Sequence, residues 1–245
     1  MTTGATVLSL RGATKRFGGL VAVNDMDFDV TEHEVLGLIG PNGSGKSTTL
    51  NLISGALKPT EGTISLRGTP ISHLSAADIA RRGIARTFQL VRLLPSMTVL
   101  ENVRAGAVFG HRRRWGAEAD AHALRMLALV GLDRRANAHV GELTYIDTKR
   151  VELARVLASE PKVLLLDEWL AGLNPTELEE GIALIKRLRD EGRTIILVEH
   201  VMDAIRSLCD RCVVMSTGTK IAEGTPEQVL SDPEVIRAYL GDDDA

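Results

Sequence analysis

Aromatic residues make up only 3% of this chain, and positive charge is not in excess, since the formal net charge is -3. So few aromatics argue against a stacking platform for single-stranded nucleic acid. A slightly acidic chain has no electrostatic reason to attract a polyanion. The densest basic cluster runs from His111 to Arg114 and is followed by Trp115; its footprint is too small for such a partner and fits a solvated loop. Cysteine is scarce as well. Cys209 and Cys212 stand as CDRC, with no further ligands nearby in sequence for a zinc site. Packing at a helix-to-strand junction is the expected role, with a redox pair as the alternative. Without a disulfide framework, the chain fits a reducing compartment. No apolar run approaches the ~20 residues that cross a bilayer, and the opening MTTGATVLSLRG has neither the basic start nor the apolar core of a signal peptide. These absences predict a soluble, cytoplasmic chain that reaches a membrane only through a partner.

The patterning that is present divides the chain by character. The first 35 residues alternate as strands, VLSL and MDFDV, separated by FGG and polar turns. VLGLIG is a compact apolar run leading through glycines into KSTTLNLISGAL, which has helical length and spacing. GTISLRG and IARTF read as further short strands. From about residue 96 to 158 the pattern is helical. Thr98 and Glu101 form a capping box ahead of it, and GAEADAHALRMLALVGL and DTKRVELARVLAS carry apolar residues at helical intervals. KVLLLD, NPTELEEGIALIKRLRDEG, TIILVE, VMDAIRSL and CVVMS then return to strand and helix in alternation, the mark of a buried parallel sheet with crossover helices. Asn174 caps one of these helices, with Pro175 at its first position and Glu177 closing the box. The helical stretch is therefore an insertion into an α/β core.

GPNGSGKST, residues 40 to 48, sits between strand and helix, the setting a phosphate-binding loop requires. Gly40, Gly43 and Gly45 let the backbone curl so that successive N–H groups, with those of Asn42 and Ser44, face phosphate oxygens. Lys46 brings a point charge to the β- and γ-phosphates. Ser47, beside Thr48, offers a hydroxyl to Mg²⁺, which takes hard oxygen ligands, and the helix start adds its positive dipole end. Nucleotide binding follows. Further on, KVLLLDE places Asp167 and Glu168 at the C-terminal end of a central strand, the edge where open α/β sheets bind their ligands. Asp167 can hold Mg²⁺ through water, and Glu168 can orient or polarise the attacking water. His200 after TIILVE and Gln89 after IARTF stand at the same edge, His200 as a phosphate contact and Gln89 as a neutral bridge between metal and water.

With these features in this order, the chain resembles the ATP-binding subunits of ABC transporters over nearly its full length. GPNGSGKST, TFQ, LTYIDTKRVELARVLASEPKVLLLDE, AGLNP and VEH carry the resemblance. RFGGLVAV, GIARTFQ, AGLNPTE and EGTPEQVLSDPEVIRAYLG resemble the branched-chain amino acid and related amide-uptake class. The resemblance implies a single ABC ATPase domain over 1–245 with a P-loop NTPase (RecA-like) α/β fold. Residues 1–89 plus 160–225 would form the nucleotide-binding core with an N-terminal antiparallel β-subdomain. Residues 90–159 would be an inserted α-helical subdomain and 226–245 a helical tail. It further implies ATP and Mg²⁺ as cofactors and hydrolysis of ATP coupled to uptake. Phe17 would stack on adenine, Gln89 would sense the metal and contact the membrane subunit, His200 would be the switch histidine, and Asn174 would lie in the loop that crosses between two such subunits. The implied partners are a second ATP-binding subunit, two transmembrane permease subunits and an extracytoplasmic substrate-binding protein, with the chain at the cytoplasmic face of the cell membrane.

Two places depart from the family pattern. Trp169 stands where a proline usually follows the glutamate. LTYID, residues 143 to 147, stands where the family has LSGGQ, a helix start offered in trans to the nucleotide of the partner subunit. Thr144 still serves as the N-cap, and Thr144 with Asp147 still reads as a capping box. Thr144, Tyr145, Ile146 and Asp147 would face that nucleotide, with Ile146 taking the clearance a glycine leaves. Asp147 would add a repulsion of about 3 kcal/mol at about 5 Å and an effective dielectric of roughly 20, offset in part by Lys149 or Arg150. The expectation is a competent site on this chain's own phosphate loop and a slower one on its partner's. Two other classes compete. A soluble ABC-type ATPase acting on nucleic acid or ribosomes usually carries a second nucleotide domain, a long coiled coil or a basic surface, and none is visible. A GTPase needs an NKxD-type segment, which is absent, and a small kinase has no use for His200 together with AGLNP.

Overall fold

The computed structural model describes residues 4–240, so the last five residues of the expected helical tail lie outside the described residues. The chain opens with two strands of 12 residues, β1 (Thr6–Phe17) and β2 (Leu20–Thr31), joined by the Gly18–Gly19 turn and paired antiparallel. They are longer than the short strands expected, because register shifts around Gly12 let one strand bend past an irregularity and continue. Then come β3 (Val35–Ile39), α1 (Lys46–Ile53), β4 (Glu61–Leu66), β5 (Thr69–Pro70), α2 (Ala76–Arg82) and β6 (Ile84–Arg86). Three helices follow, α3 (Val99–Phe109), α4 (Gly116–Leu129) and α5 (Tyr145–Ala158), with two short 3₁₀ turns between α4 and α5. The chain closes with β7 (Val163–Asp167), α6 (Pro175–Asp190), β8 (Ile195–Val198), α7 (Met202–Leu208), β9 (Arg211–Ser216), β10 (Thr219–Gly224), α8 (Pro226–Leu230) and α9 (Pro233–Leu240). The sequence patterning gave no sign of α2 or β10, both of which are short.

The strands form two sheets. One is antiparallel, in the order β2-β1-β4-β5; the other runs β10-β9-β3-β8-β7-β6 and is parallel except at its β9–β10 edge. Every residue of β3, β7 and β8 is buried, which is why these strands read as unbroken apolar runs rather than alternations. Successive side chains still point to opposite faces. Leu36, Leu38, Leu165, Ile196 and Val198 pack with the antiparallel sheet and α1 in one core. Val35, Ile39, Leu164, Leu166, Ile195 and Leu197 pack in a second core that includes α3, α4 and α5. Cys209 and Cys212 are free and buried in this second core, at the junction of α7 and β9. Thr98 and Glu101 form both halves of their capping box, as do Asn174 and Glu177. Among the described residues, no helix is long and apolar enough to cross a membrane.

Candidate active site

The carboxyl ends of β3, β7 and β8 meet at one edge because the three strands are parallel neighbours. The chain leaves β3 through the glycine loop. Gly40 has φ 147, and a Cβ there would sit 2.1 Å from the carbonyl oxygen of Met215 in β9. Gly43 has φ 79 and open space around it. The loop is tied from the far side by the Gly218 amide, which donates to the Ser44 carbonyl at 3.0 Å. It ends at Gly45, the N-cap of α1, where no side chain caps the helix. The first-turn amides of α1 therefore face no competing side-chain acceptor, which suits an anion. The Lys46 ammonium is held by the carbonyls of Gly40 and Pro41 at 2.7 and 2.8 Å. Burial pushes its pKa down, and the Glu168 and Asp167 carboxylates pull it partly back.

This loop forms one wall of a cavity of about 440 Å³. Asn42 through Thr48 line it with Leu20, Val21, Ala22, Thr217 and Gly218, and Glu168 stands among the lining residues from the end of β7. Glu168 adopts φ 49, an uncommon conformation for a residue with a side chain, and its carboxylate is held at both oxygens. Gln89 Nε2 donates to Oε2 at 2.6 Å, and His200 Nε2 lies 3.0 Å from Oε1. Gln89 and His200, from two other segments of the chain, thus converge on the Glu168 carboxylate. Phe17 is 46% exposed at the tip of the β1–β2 hairpin, with Lys15 over its ring; Leu20 across the turn lines the cavity and Phe17 does not.

Asp167 is buried, and Arg86 donates to its Oδ2 at 2.6 Å. The other nitrogen fork of Arg86 reaches Asn51 of α1, so one guanidinium links α1, β6 and β7. Asp167 Oδ1 has no hydrogen-bond partner. Asp167 does not itself line the cavity, but a buried carboxylate oxygen left free next to Glu168, which does, fits a hard cation. Among the described residues, no group of three His, Cys, Asp or Glu side chains could hold a metal alone.

The turn at 143–147 differs from expectation. Thr144 caps α5 by accepting the Asp147 amide at 3.3 Å, but the return half of the box is not made. The Asp147 carboxylate lies instead 3.8 Å from Arg135, and its side chain is only 15% exposed, so its negative charge is partly matched from within the chain. Thr144 and Tyr145 are exposed, whereas Ile146 is buried. The Ile146 side chain does not occupy the clearance outside the helix start. It turns inward on the face that also carries Lys149 and Leu153, as helical spacing requires. Ile146 therefore gives no steric reason for a slower partner site.

Three buried charges at this site, Arg86, Glu152 and Glu199, have no role in the sequence patterning, and Lys149 enters it only as a counter-charge to Asp147. Each sits in an otherwise apolar strand or helix face, and that was the available signal. Glu152 accepts the amides of Phe88 and Arg92 on either side of Gln89, and burial raises its pKa against those bonds. Glu199, next to His200, accepts the Leu170 amide at 2.7 Å, and its pKa is pushed up to about 7, chiefly by burial. Trp169 is buried, with its indole nitrogen donating to the Lys149 carbonyl and its ring against Gly181.

The family description "ABC transporter" matches residues 23–171, and "Branched-chain amino acid ATP-binding cassette transporter" matches residues 219–245. The chain is 43% identical over 250 residues to the high-affinity branched-chain amino acid transport ATP-binding protein LivG of Salmonella typhimurium, covering 96% of this chain and 98% of that protein. The fold is similar to the ADP conformation of MJ1267, an ATP-binding cassette of an ABC transporter, with a TM-score of 0.88, 32% identity, and coverage of 97% of this chain and 99% of that one. It is also similar to the dimeric post-hydrolysis state of the ATP-binding cassette MJ0796 bound to ADP and Pi, with a TM-score of 0.81, 30% identity, and coverage of 89% and 98%. The chain belongs to the ABC transporter family, as an ATP-binding cassette.

Proposed function

We propose that this chain is the ATP-binding and ATP-hydrolysing subunit of an importer for branched-chain-type amino acids or related small amides, working at the cytoplasmic face of the cell membrane. One observation carries the chemistry: the Glu168 carboxylate stands on the wall of the phosphate-loop cavity, fixed by Gln89 and His200. In this reading the amides of residues 42–48 and the Lys46 ammonium grip the triphosphate, and Phe17 packs on the adenine. Glu168 accepts a proton from water as its oxygen attacks the γ-phosphorus and the bond to the bridging oxygen breaks. Gln89 and His200 keep that carboxylate aimed, and His200 also reaches the γ-phosphate. Ser47, Asp167 and Gln89 would hold Mg²⁺, which supplies charge neutralisation on the phosphates. Residues 1–89 plus 160–225 act as the nucleotide-binding core, and 90–159 as the helical lever.

The reading includes a second ATP-binding subunit, supported by the dimeric state of the related cassette. Thr144, Tyr145, Ile146 and Asp147 then close over that subunit's nucleotide through the main chain of the α5 start, with Asn174 in the crossing loop. Two transmembrane permease subunits and an extracytoplasmic binding protein complete the system. The test is ATP turnover and leucine uptake by the membrane complex carrying this chain. Glu168→Gln is expected to lower both by about 10²-fold or more while nucleotide still binds, and Lys46→Ala to lose nucleotide binding as well. Uptake unchanged by both substitutions would refute the assignment, and uptake of other cargo but neither leucine nor small amides would refute the substrate class.

A further inference from the structure

Two ionisable side chains of α5, Lys149 and Glu152, are each at most 2% exposed and lie about one turn apart. The Lys149 ammonium meets carbonyl oxygens: Ala171 at 2.8 Å, Trp169 at 2.9 Å and Glu168 at 3.4 Å. The Trp169 indole donates back to the Lys149 carbonyl at 3.2 Å, so the bond between helix and loop is reciprocal. The Tyr145 ring lies 5.1 Å from the same ammonium and packs on Gly172. The Glu152 carboxylate meets N–H groups: Phe88 at 3.2 Å and Arg92 at 3.0 Å, one to each oxygen. Arg155, at 3.6 Å, is the opposite charge within salt-bridge distance of Glu152 among the described residues, and Lys149 adds a longer-range attraction. Among the described residues, no carboxylate lies within salt-bridge distance of Lys149. The polarity of each side chain therefore matches one loop. A cation gathers the carbonyls that follow Glu168, and an anion gathers the amides that flank Gln89.

Simple packing does not account for this. Burying a charge is costly unless hydrogen bonds offset it, and an apolar side chain of similar volume would fill the space at lower cost. What the charges add is a fixed geometry for two stretches of irregular backbone. Those stretches meet again where Gln89 donates to Glu168, so both halves of that contact hang from one helix. The same helix begins at the exposed Thr144 and Tyr145.

Resting on the functional reading above, we propose that Lys149 and Glu152 are positioning residues for ATP hydrolysis. They tie the loop after Glu168 and the loop carrying Gln89 to the first turns of α5, so that movement of the exposed α5 start shifts both catalytic loops together. Trp169 is the loop's side of that clamp, which gives the replacement of the usual proline a physical purpose.

The test compares Lys149→Met, Glu152→Gln and Trp169→Phe in the membrane complex, with nucleotide affinity measured on the purified full chain by calorimetry with Mg-ATPγS. Lys149→Met and Glu152→Gln are expected to lower kcat at least 10-fold while KM for ATP and the Kd stay within 2-fold of wild type. Trp169→Phe, which keeps the ring and loses one hydrogen bond, is expected to lower kcat 2- to 5-fold. Trp115 and Trp169 are the only tryptophans. In a Trp115→Phe background, Lys149→Met is expected to shift the Trp169 emission to the red, a change that loss of global stability alone would not produce below the melting transition. Folded variants with kcat within 2-fold of wild type overturn the proposal, as does a parallel loss of kcat and affinity, which would mean damage to the phosphate loop. If Lys149→Met does not fold, Trp169→Phe decides, and an unchanged kcat there overturns it. A wild-type complex that binds nucleotide but hydrolyses none defeats the functional reading instead, a result distinct from variants that match wild type.

Discussion

Two helices of this chain begin beside the chemistry, and they begin differently. α1 starts at Gly45, in a left-handed conformation with φ 103 and no side-chain cap. α5 starts at Thr144, with φ -70 and a hydroxyl that accepts the Asp147 amide. Both expose N-terminal amides and the positive end of a dipole. The first is shaped almost wholly by its own glycines, whose positive φ values strain any residue with a side chain. The second has no glycine among residues 143–147 and is held from behind: by Ile146 in the interior, by Arg135 beside Asp147, and by Lys149 against the loop after Glu168. A helix start beside these loops can thus be shaped from the backbone outward or from the core inward, and the two designs should fail in different ways.

The largest expected effect is at the first start. Gly40→Ala sets a Cβ 2.1 Å from the Met215 carbonyl, so β9 or the loop must move. Stability should fall by about 3 kcal/mol or more and nucleotide binding should be lost. Gly43→Ala meets nothing within 4 Å, and only its positive φ is strained, at about 1–2 kcal/mol. Urea unfolding and nucleotide titration of the two variants measure the difference; equal losses would remove the distinction between backbone strain and steric closure.

At the second start, Ile146→Gly restores the residue type of the family yet empties a buried position. It should cost about 2–5 kcal/mol and leave turnover at the partner's site no faster. Faster turnover without a loss of stability would show that Ile146 faces the nucleotide after all.

Next comes a pH effect on the framework behind that start. The Glu199 pKa is raised from 4.5 to about 7, so between those values the folded state binds more protons than the unfolded state, and stability falls as pH rises. The destabilisation is absent below about pH 4.5 and complete above about pH 7, amounting to about 3 kcal/mol. Glu199→Gln should flatten this slope in urea midpoints taken from pH 4.5 to 8. A wild-type midpoint that does not fall over that range would mean the carboxylate is better satisfied than its burial suggests.

The smallest effect is the cap. Thr144→Ala should cost about 1 kcal/mol, read as a few degrees in melting temperature. It should also lower turnover by less than either Lys149→Met or Glu152→Gln, if those side chains rather than the cap set the position of α5.

Much of the fold was legible because its strongest signals are local. β3, β7 and β8 are wholly buried and so appear as unbroken apolar runs. The capping boxes at Thr98 and Asn174 read directly from side chains three residues apart. The short elements α2 and β10 gave too few residues for a period to register. Ile146 looks like a surface turn residue from its neighbours alone, but its spacing from Lys149 and Leu153 places it on one buried face of a helix. Beyond the apolar faces that carry them, nothing in the local sequence marks Arg86, Lys149, Glu152 or Glu199 as buried charges. Their partners lie far along the chain, 81 residues away for Arg86 and Asp167 and 64 for Glu152 and Phe88.

What the sequence determined alone is the sheet with a glycine loop at its edge, since backbone freedom and apolar periodicity act over a few residues and need no distant partner. Only the tertiary structure decided how the loops around Gln89 and Glu168 are held. A buried charge is tolerable only where folding brings complementary backbone groups to it, and nothing in the local order of residues says which groups those will be.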